Sequence, residues 1–135
     1  MTEIKTILIT GCSSGIGYDA AHTLHKRGWQ VFATCRKQSD CNRLEEEGLT
    51  SFLIDYENQK TIDSGFDKAM TLSGGSLDVL FNNGAYAIPA AVEDMPTEAL
   101  RQIFEANFFG WHHLCLLYTS PSPRDSFRSR MPSSA

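Results

Sequence analysis

The sequence predicts an α/β fold: a doubly wound parallel sheet, present as its N-terminal half of about four strands. Three observations carry that expectation. Short apolar runs alternate with segments of helical period over residues 4–114, and such alternation implies a parallel sheet with right-handed crossovers. The first run enters a glycine turn, Gly11-Cys12-Ser13-Ser14-Gly15-Ile16-Gly17, which opens a helix. The alternating stretch is long enough for only half of a sheet made from two βαβαβ units.

Strand one covers Ile4 to Thr10. Helix one runs from Gly15 to Arg27, with Ile16, Ala20, Ala21 and Leu24 as its inward stripe. Gly28 stops it. Strand two is Trp29 to Thr34, and a helix from Asp40 to Glu47 ends at Gly48. Strand three is Thr50 to Ile54. A longer helix spans Asn58 to Leu72, turning Ile62, Phe66, Ala69 and Met70 inward, until Ser73-Gly74-Gly75-Ser76 breaks it. Strand four is Leu77 to Phe81. Met95-Pro96-Thr97-Glu98 reads as a helix entry with Thr97 as the cap, and the helix carries Leu100, Ile103, Phe104, Asn107, Phe108 and Trp111.

The first strand–turn–helix unit builds an anion site from backbone. Glycines let the main chain turn tightly, and the first-turn N–H groups have no acceptor in their own helix. The hydroxyls of Ser13 and Ser14 add donors, and Ile16 supplies an apolar wall. The same residues also suit an ordinary turn, where serine is common. The spacing is G-x-x-x-G-x-G, not the G-x-G-x-x-G of the common dinucleotide fingerprint.

Thr10-Gly11 through Gly15-Ile16-Gly17 at the end of a first strand resembles the cofactor signature of the short-chain dehydrogenase/reductase family. Asn82-Asn83-Gly84-Ala85, after strand four, resembles that family's Asn-Asn-Ala-Gly signature with the last two residues exchanged. Asn107, within Glu105-Ala106-Asn107-Phe108-Phe109-Gly110, falls where the family carries the asparagine of its catalytic tetrad. The resemblance covers residues 4 to about 114. It implies a Rossmann-type nicotinamide site and hydride transfer between NADP(H) or NAD(H) and a small carbonyl or alcohol substrate. It also implies a homo-oligomeric enzyme, and the cysteine usage points to a cytoplasmic one.

Cofactor choice is expected at the end of strand two, where a carboxylate would accept from an adenosine ribose. The chain has Thr34-Cys35-Arg36-Lys37 there. Cys35 stands in the acid's place, and Arg36 and Lys37 put positive charge where a 2′-phosphate would sit, which favours NADP over NAD. A solvated basic loop is the plainer use of the pair. Asp55 matches the family aspartate that contacts the adenine amino group; a turn aspartate is its alternative use. Tyr56-Glu57-Asn58-Gln59-Lys60 fits the letters of the family's Tyr-x-x-x-Lys motif. It precedes Asn107 and adjoins the adenine-end Asp55, so the match is read as chance. Of the family tetrad only Asn107 has a counterpart.

Two other classes stay open: a non-catalytic nucleotide-binding or sensor domain, and an epimerase or dehydratase on a related scaffold. The latter would be favoured by G-x-x-G-x-x-G, which is absent.

The expected organisation is a domain over residues 1–114 and a tail over 115–135. Three of the five prolines fall in that tail, among serines and arginines, the composition of a disordered segment. Residues Cys115 to Asp125 also resemble one reading frame of a transposase adapter used in sequencing libraries, so the tail is expected to be disordered or artefactual.

The net charge is −4 over 135 residues. The tail holds three arginines against one aspartate, +2, leaving −6 for the rest, and nothing there suggests nucleic-acid binding. No apolar run approaches the roughly 20 residues that cross a bilayer. Cys12, Cys35, Cys41 and Cys115 lack C-x-x-C spacing and read as reduced thiols. His22, His25, His112 and His113 lack metal-site company, and surface or packing roles are favoured. On the adapter reading, re-sequencing the coding DNA should show the adapter's codons over Cys115 to Asp125; any other codons there reject it.

Overall fold

The computed structural model describes residues 3–119. Four parallel strands form one sheet: β1 (Thr6–Ile9), β2 (Gln30–Cys35), β3 (Thr50–Leu53) and β4 (Val79–Phe81). Their order is β3-β2-β1-β4, the first four positions of the classic doubly wound sheet. Register follows Ile7 opposite both Val31 and Val79, and Cys35 opposite Leu53. Helices α1 (Gly15–Lys26), α2 (Gln38–Glu46) and α3 (Gln59–Leu72) are the crossovers. After β4 come α4 (Thr97–Phe104), a π-helical turn (Glu105–Phe109) and α5 (Gly110–Thr119). Among the described residues no helix is long and apolar enough to cross a membrane.

Strand alternation divides the core between the two faces of the sheet. Ile7 and Ile9 face α1 and α2, packing with Ala21, Val31, Ala33, Cys41 and Leu44. Leu8 faces α3 and α5, with Phe32, Phe52, Ile62, Phe66, Ala69 and Leu114. Each fully buried aliphatic or aromatic side chain is worth about 1.5–3 kcal/mol. In α3 the expected inward residues Ile62, Phe66 and Ala69 are buried, and Asn58 accepts from the Lys60 amide as the cap.

Three expectations change. Ile16 does not join the inward stripe of α1; it is 72% exposed. It sits in the first turn, at the end of the helix beside the crevice, while Gly17 takes the buried place. Thr97 is the first residue of α4, and Pro96 holds the cap position in extended backbone. Residues 115–119, the start of the expected tail, are helical: α5 runs on to Thr119. Leu114, Leu117 and Tyr118 keep the i, i+3, i+4 spacing that faces the α3 side of the core, and the Tyr118 hydroxyl donates to the Asp78 carbonyl at 2.8 Å. The remainder of the expected tail, 120–135, lies outside the described residues.

Three of the four thiols are core groups. Cys12, Cys35 and Cys41 are buried and Cys115 is exposed. Burial pushes the Cys12 and Cys35 thiols up from 9.0 to about 12. A thiol raised in the folded state contributes stability that is complete below pH 9 and lost as pH climbs towards 12, because the unfolded chain releases the proton first. Iodoacetamide at pH 8 should therefore label Cys115 quickly and the other three only after denaturation, and urea midpoints should fall from about pH 9 upwards. Fast native labelling of Cys12 or Cys41 contradicts this packing.

Candidate active site

The sheet order reverses between β1 and β4, and a crevice opens at their carboxyl ends. It is a cleft of about 340 Å³, within the range that holds small ligands. Its wall includes Thr10, Gly11, Ser13 and Ser14 from the first turn, Cys35 and Arg36 after β2, Asp55 and Tyr56 after β3, and Asn83, Gly84 and Ala85 after β4. Most of the residues singled out from sequence thus meet in one place. Lys37 and Ile16 are exposed and outside the lining.

The N-terminus of α1 opens the cleft. Ser14 is its cap residue in extended backbone, and its side chain makes no capping bond, so hydroxyl and first-turn amides stay available. Gly15 has φ +63°, and a Cβ there would meet nothing within 4 Å. Gly17 is different: a Cβ would lie 2.3 Å from the Gly11 carbonyl oxygen and 2.7 Å from Asn83 Nδ2. One glycine serves backbone conformation, the other contact between helix and strand ends.

Thr10 ties β1 to the segment after β4. Its Oγ1 accepts from the Asn83 and Gly84 amides, each at 3.0 Å. Asn83 Nδ2 returns a bond to the Gly11 carbonyl at 3.1 Å. Asn82 takes the Tyr56 hydroxyl on Oδ1 and directs Nδ2 to the Cys115 sulfur at 3.2 Å. After β3, Asp55 Oδ1 accepts from the Glu57 amide at 3.0 Å, the turn use that its position allows. Arg36 lies over the Tyr86 ring, 5.7 Å from its centre, a cation–π contact across the cleft mouth.

Asn107 sits in the π turn, a form frequent at functional sites. Its Nδ2 donates to the Tyr86 carbonyl at 2.7 Å and its Oδ1 accepts the Tyr86 amide at 3.1 Å. The side chain brackets the backbone that carries the cleft wall, and its neighbour Ala106 lines the cleft.

Two residues at the site escape the sequence reading. Tyr56, set aside as a chance match, is buried with its hydroxyl 2.6 Å from Thr10 Oγ1. Lys60 does not accompany it; it is exposed in the first turn of α3. Arg43 of α2 donates from Nη2 to the Ser13 carbonyl at 2.7 Å and pairs with Asp40 and Glu47 at 3.4 and 3.6 Å. Glu47 also accepts from the Tyr18 hydroxyl and contacts His22, at 2.8 and 2.7 Å. Those bonds, Tyr18's first, hold its carboxyl below the usual carboxylate range. No motif marks Arg43, because it reaches the turn from 30 residues away. Among the described residues no cluster of His, Cys, Asp or Glu is placed to hold a metal ion.

A family profile described as short chain dehydrogenase matches residues 5–121. The uncharacterized oxidoreductase YbbO of Escherichia coli K12 is 38% identical over 112 residues, covering 83% of this chain and 42% of the relative. The NADPH-dependent 1-acyldihydroxyacetone phosphate reductase of Schizosaccharomyces pombe is 32% identical over 111 residues, covering 82% and 38%. A 3-ketoacyl-(acyl-carrier-protein) reductase from Brucella melitensis, solved with NADH, superimposes with a TM-score of 0.79 at 22% identity, covering 93% of this chain and 53% of that one; that likeness speaks for the fold. The chain spans less than half the length of these two curated relatives.

The two glycines should separate by experiment. Gly17→Ala forces helix and strand apart and should cost about 1–3 kcal/mol in urea unfolding. Gly15→Val strains one exposed residue but meets no atom, and should leave the circular dichroism spectrum unchanged while abolishing dinucleotide binding. Equal stability loss in both, or unchanged dinucleotide affinity in Gly15→Val, contradicts this division.

Proposed function

The chain belongs to the short-chain dehydrogenase family, and from that premise we propose that it is the cofactor-binding half of an oxidoreductase moving a hydride between NADP(H) and a small carbonyl or alcohol substrate. One observation carries the reading: the uncapped N-terminus of α1 opens on the cleft where β1, β3 and β4 end. The open side of Gly15 and the free hydroxyl of Ser14 suit a pyrophosphate. Thr10, Gly11, Ser13, Ser14, Gly15, Ile16 and Gly17 would form the phosphate turn. Asp55 would meet the adenine, and Asn82 to Ala85 would pass along the ribose.

NADP is favoured by charge. Arg36 lines the cleft, Lys37 adds a second cation outside its wall, and Cys35 supplies no carboxylate to repel a 2′-phosphate. The S. pombe relative is named for NADPH, whereas the Brucella structure holds NADH; the assignment therefore leans on the residues. The bound nicotinamide would supply the hydride. The chain's own groups bind and orient, with Arg43 steadying the Ser13 carbonyl and Asn107 holding the Tyr86 backbone. Asn107 is the one member of the family's catalytic tetrad with a counterpart here. We therefore read the 135 residues as catalytically incomplete, and the complete enzyme as a cytoplasmic homo-oligomer.

Titration of the purified chain, followed by nicotinamide fluorescence, should give an affinity for NADPH at least about tenfold above that for NADH, a difference of about 1.4 kcal/mol. Arg36→Ala should erase the preference by weakening NADPH alone, and Cys35→Asp should reverse it. Tighter NADH binding by the unmodified chain rejects the NADP assignment. No NADPH-dependent carbonyl reduction should be seen with the 135-residue chain; sustained turnover would overturn its incompleteness.

A further inference from the structure

We propose that Tyr56 is a positioning residue of this cleft, its hydroxyl passing one fixed hydrogen-bond direction from the end of β1 to the end of β4. The proposal rests on the cleft being a dinucleotide site and adds a residue that sets its shape.

The direction follows from counting protons. A threonine hydroxyl has one proton and two lone pairs. Both acceptor places of Thr10 Oγ1 are taken, by the Asn83 and Gly84 amides at 3.0 Å. Its proton must then go to its remaining partner, the Tyr56 oxygen 2.6 Å away. Tyr56 spends its own proton on Asn82 Oδ1. Reversing any link would set two protons face to face. Thr10 is thereby held as an acceptor for two consecutive amides of the cleft wall, and Asn82, the first residue of that wall, is fixed from the other side.

The ring is seated for this task. A Cβ at Gly110 would lie 2.5 Å from the Tyr56 Cβ, and one at Gly84 would lie 3.0 Å from its Cε2, so both neighbours leave the space that the ring fills. Trp111 flanks it with ring centres 6.3 Å apart and donates from Nε1 to the Gly84 carbonyl at 2.6 Å. Burial raises the Tyr56 hydroxyl above its ordinary value of 10.0, which keeps the proton in place at physiological pH. Tyr56 acts through Thr10 and Asn82, and therefore positions rather than catalyses.

A double-mutant cycle on the full 135-residue chain tests the relay. Tyr56→Phe keeps the ring and removes the link; Thr10→Val removes the other end; Thr10→Ser keeps the hydroxyl. NADPH affinity is read by nicotinamide fluorescence, and amide exchange of Asn83, Gly84 and Leu8 is read without cofactor. Members of one network are non-additive. Tyr56→Phe and Thr10→Val should each weaken NADPH about tenfold, and the double variant should fall well short of the roughly hundredfold product. Thr10→Ser should stay within about threefold of the unmodified chain. In Tyr56→Phe the Asn83 and Gly84 amides should exchange at least about tenfold faster while Leu8, in the sheet centre, keeps its rate. An unchanged NADPH affinity in Tyr56→Phe, a multiplicative double variant, or equal acceleration at Leu8 overturns the proposal. Should the unmodified chain fail to bind NADPH, the dinucleotide reading falls by itself. The amides then decide: selective loss upholds the relay and unchanged exchange rejects it. If Tyr56→Phe does not fold, Asn82→Ala removes the acceptor instead and is held to the same amide criterion.

Discussion

Everything at the carboxyl end of the sheet depends on how β1 is fastened to β4. These strands are neighbours in space but pair residues 72 apart in sequence, as Ile7 with Val79, and two threonines of β1 and its end close the seam. At the entry, the Thr6 amide donates to Asp78 Oδ2 at 2.8 Å and its hydroxyl to the Ser76 carbonyl at 2.8 Å. At the exit, Thr10 receives the Asn83 and Gly84 amides. Each such bond contributes only about 0.5–1.5 kcal/mol net, but a buried group left unpaired costs about 1–3. The seam thus resists slippage more than it adds stability. It also sits where strand order reverses, so the helices leaving β1 and β4 depart to opposite faces and leave the crevice uncovered.

The fold was legible because its signals are local. β1 to β3 and their helices announce themselves by period, and the glycine turn, Asn58 and Gly28 mark boundaries that the structure keeps to within one or two residues. The misses have a common cause. Ile16 has the right helical spacing but lies in the first turn, past the edge of the sheet it would pack on. Thr97 is a favoured cap type, yet Pro96 occupies the extended position just before the helix. The composition of the segment after Leu114 suggests an early end, while Leu117 and Tyr118 still meet the core. Spacing records direction along one element; it does not record where the neighbouring element stops.

The site divides in the same way. Thr10, Gly11, Ser13, Ser14, Arg36, Asp55 and Asn83 to Ala85 reach the cleft because motif and strand end coincide. Tyr56 reaches it across the sheet by side-chain length, and Arg43 reaches the carbonyl of one wall residue, Ser13, from a neighbouring helix. Only three-dimensional proximity shows them. Tyr56 is the sharper lesson: its letters match a catalytic pair that its place before Asn107 already argued against, and the geometry gives the hydroxyl a different use.

The π turn joins this interior to the surface. Over Glu105–Phe109 the helix carries a wider turn, which shifts the faces that its side chains present. Ala106 is buried and Asn107 brackets the Tyr86 backbone, while Phe108 and Phe109 stand 58% and 52% exposed with their rings 5.2 Å apart. Phe104, 50% exposed, and Leu100 extend the same apolar surface towards α4. Asn107 faces the cleft wall and the two residues after it face outward, so one turn carries both surfaces. Phe108 directly follows Asn107, so the exposed apolar surface and the bracket on the Tyr86 backbone lie on adjoining residues. The geometry of the cleft wall and the fate of the exposed phenylalanines form one mechanical problem.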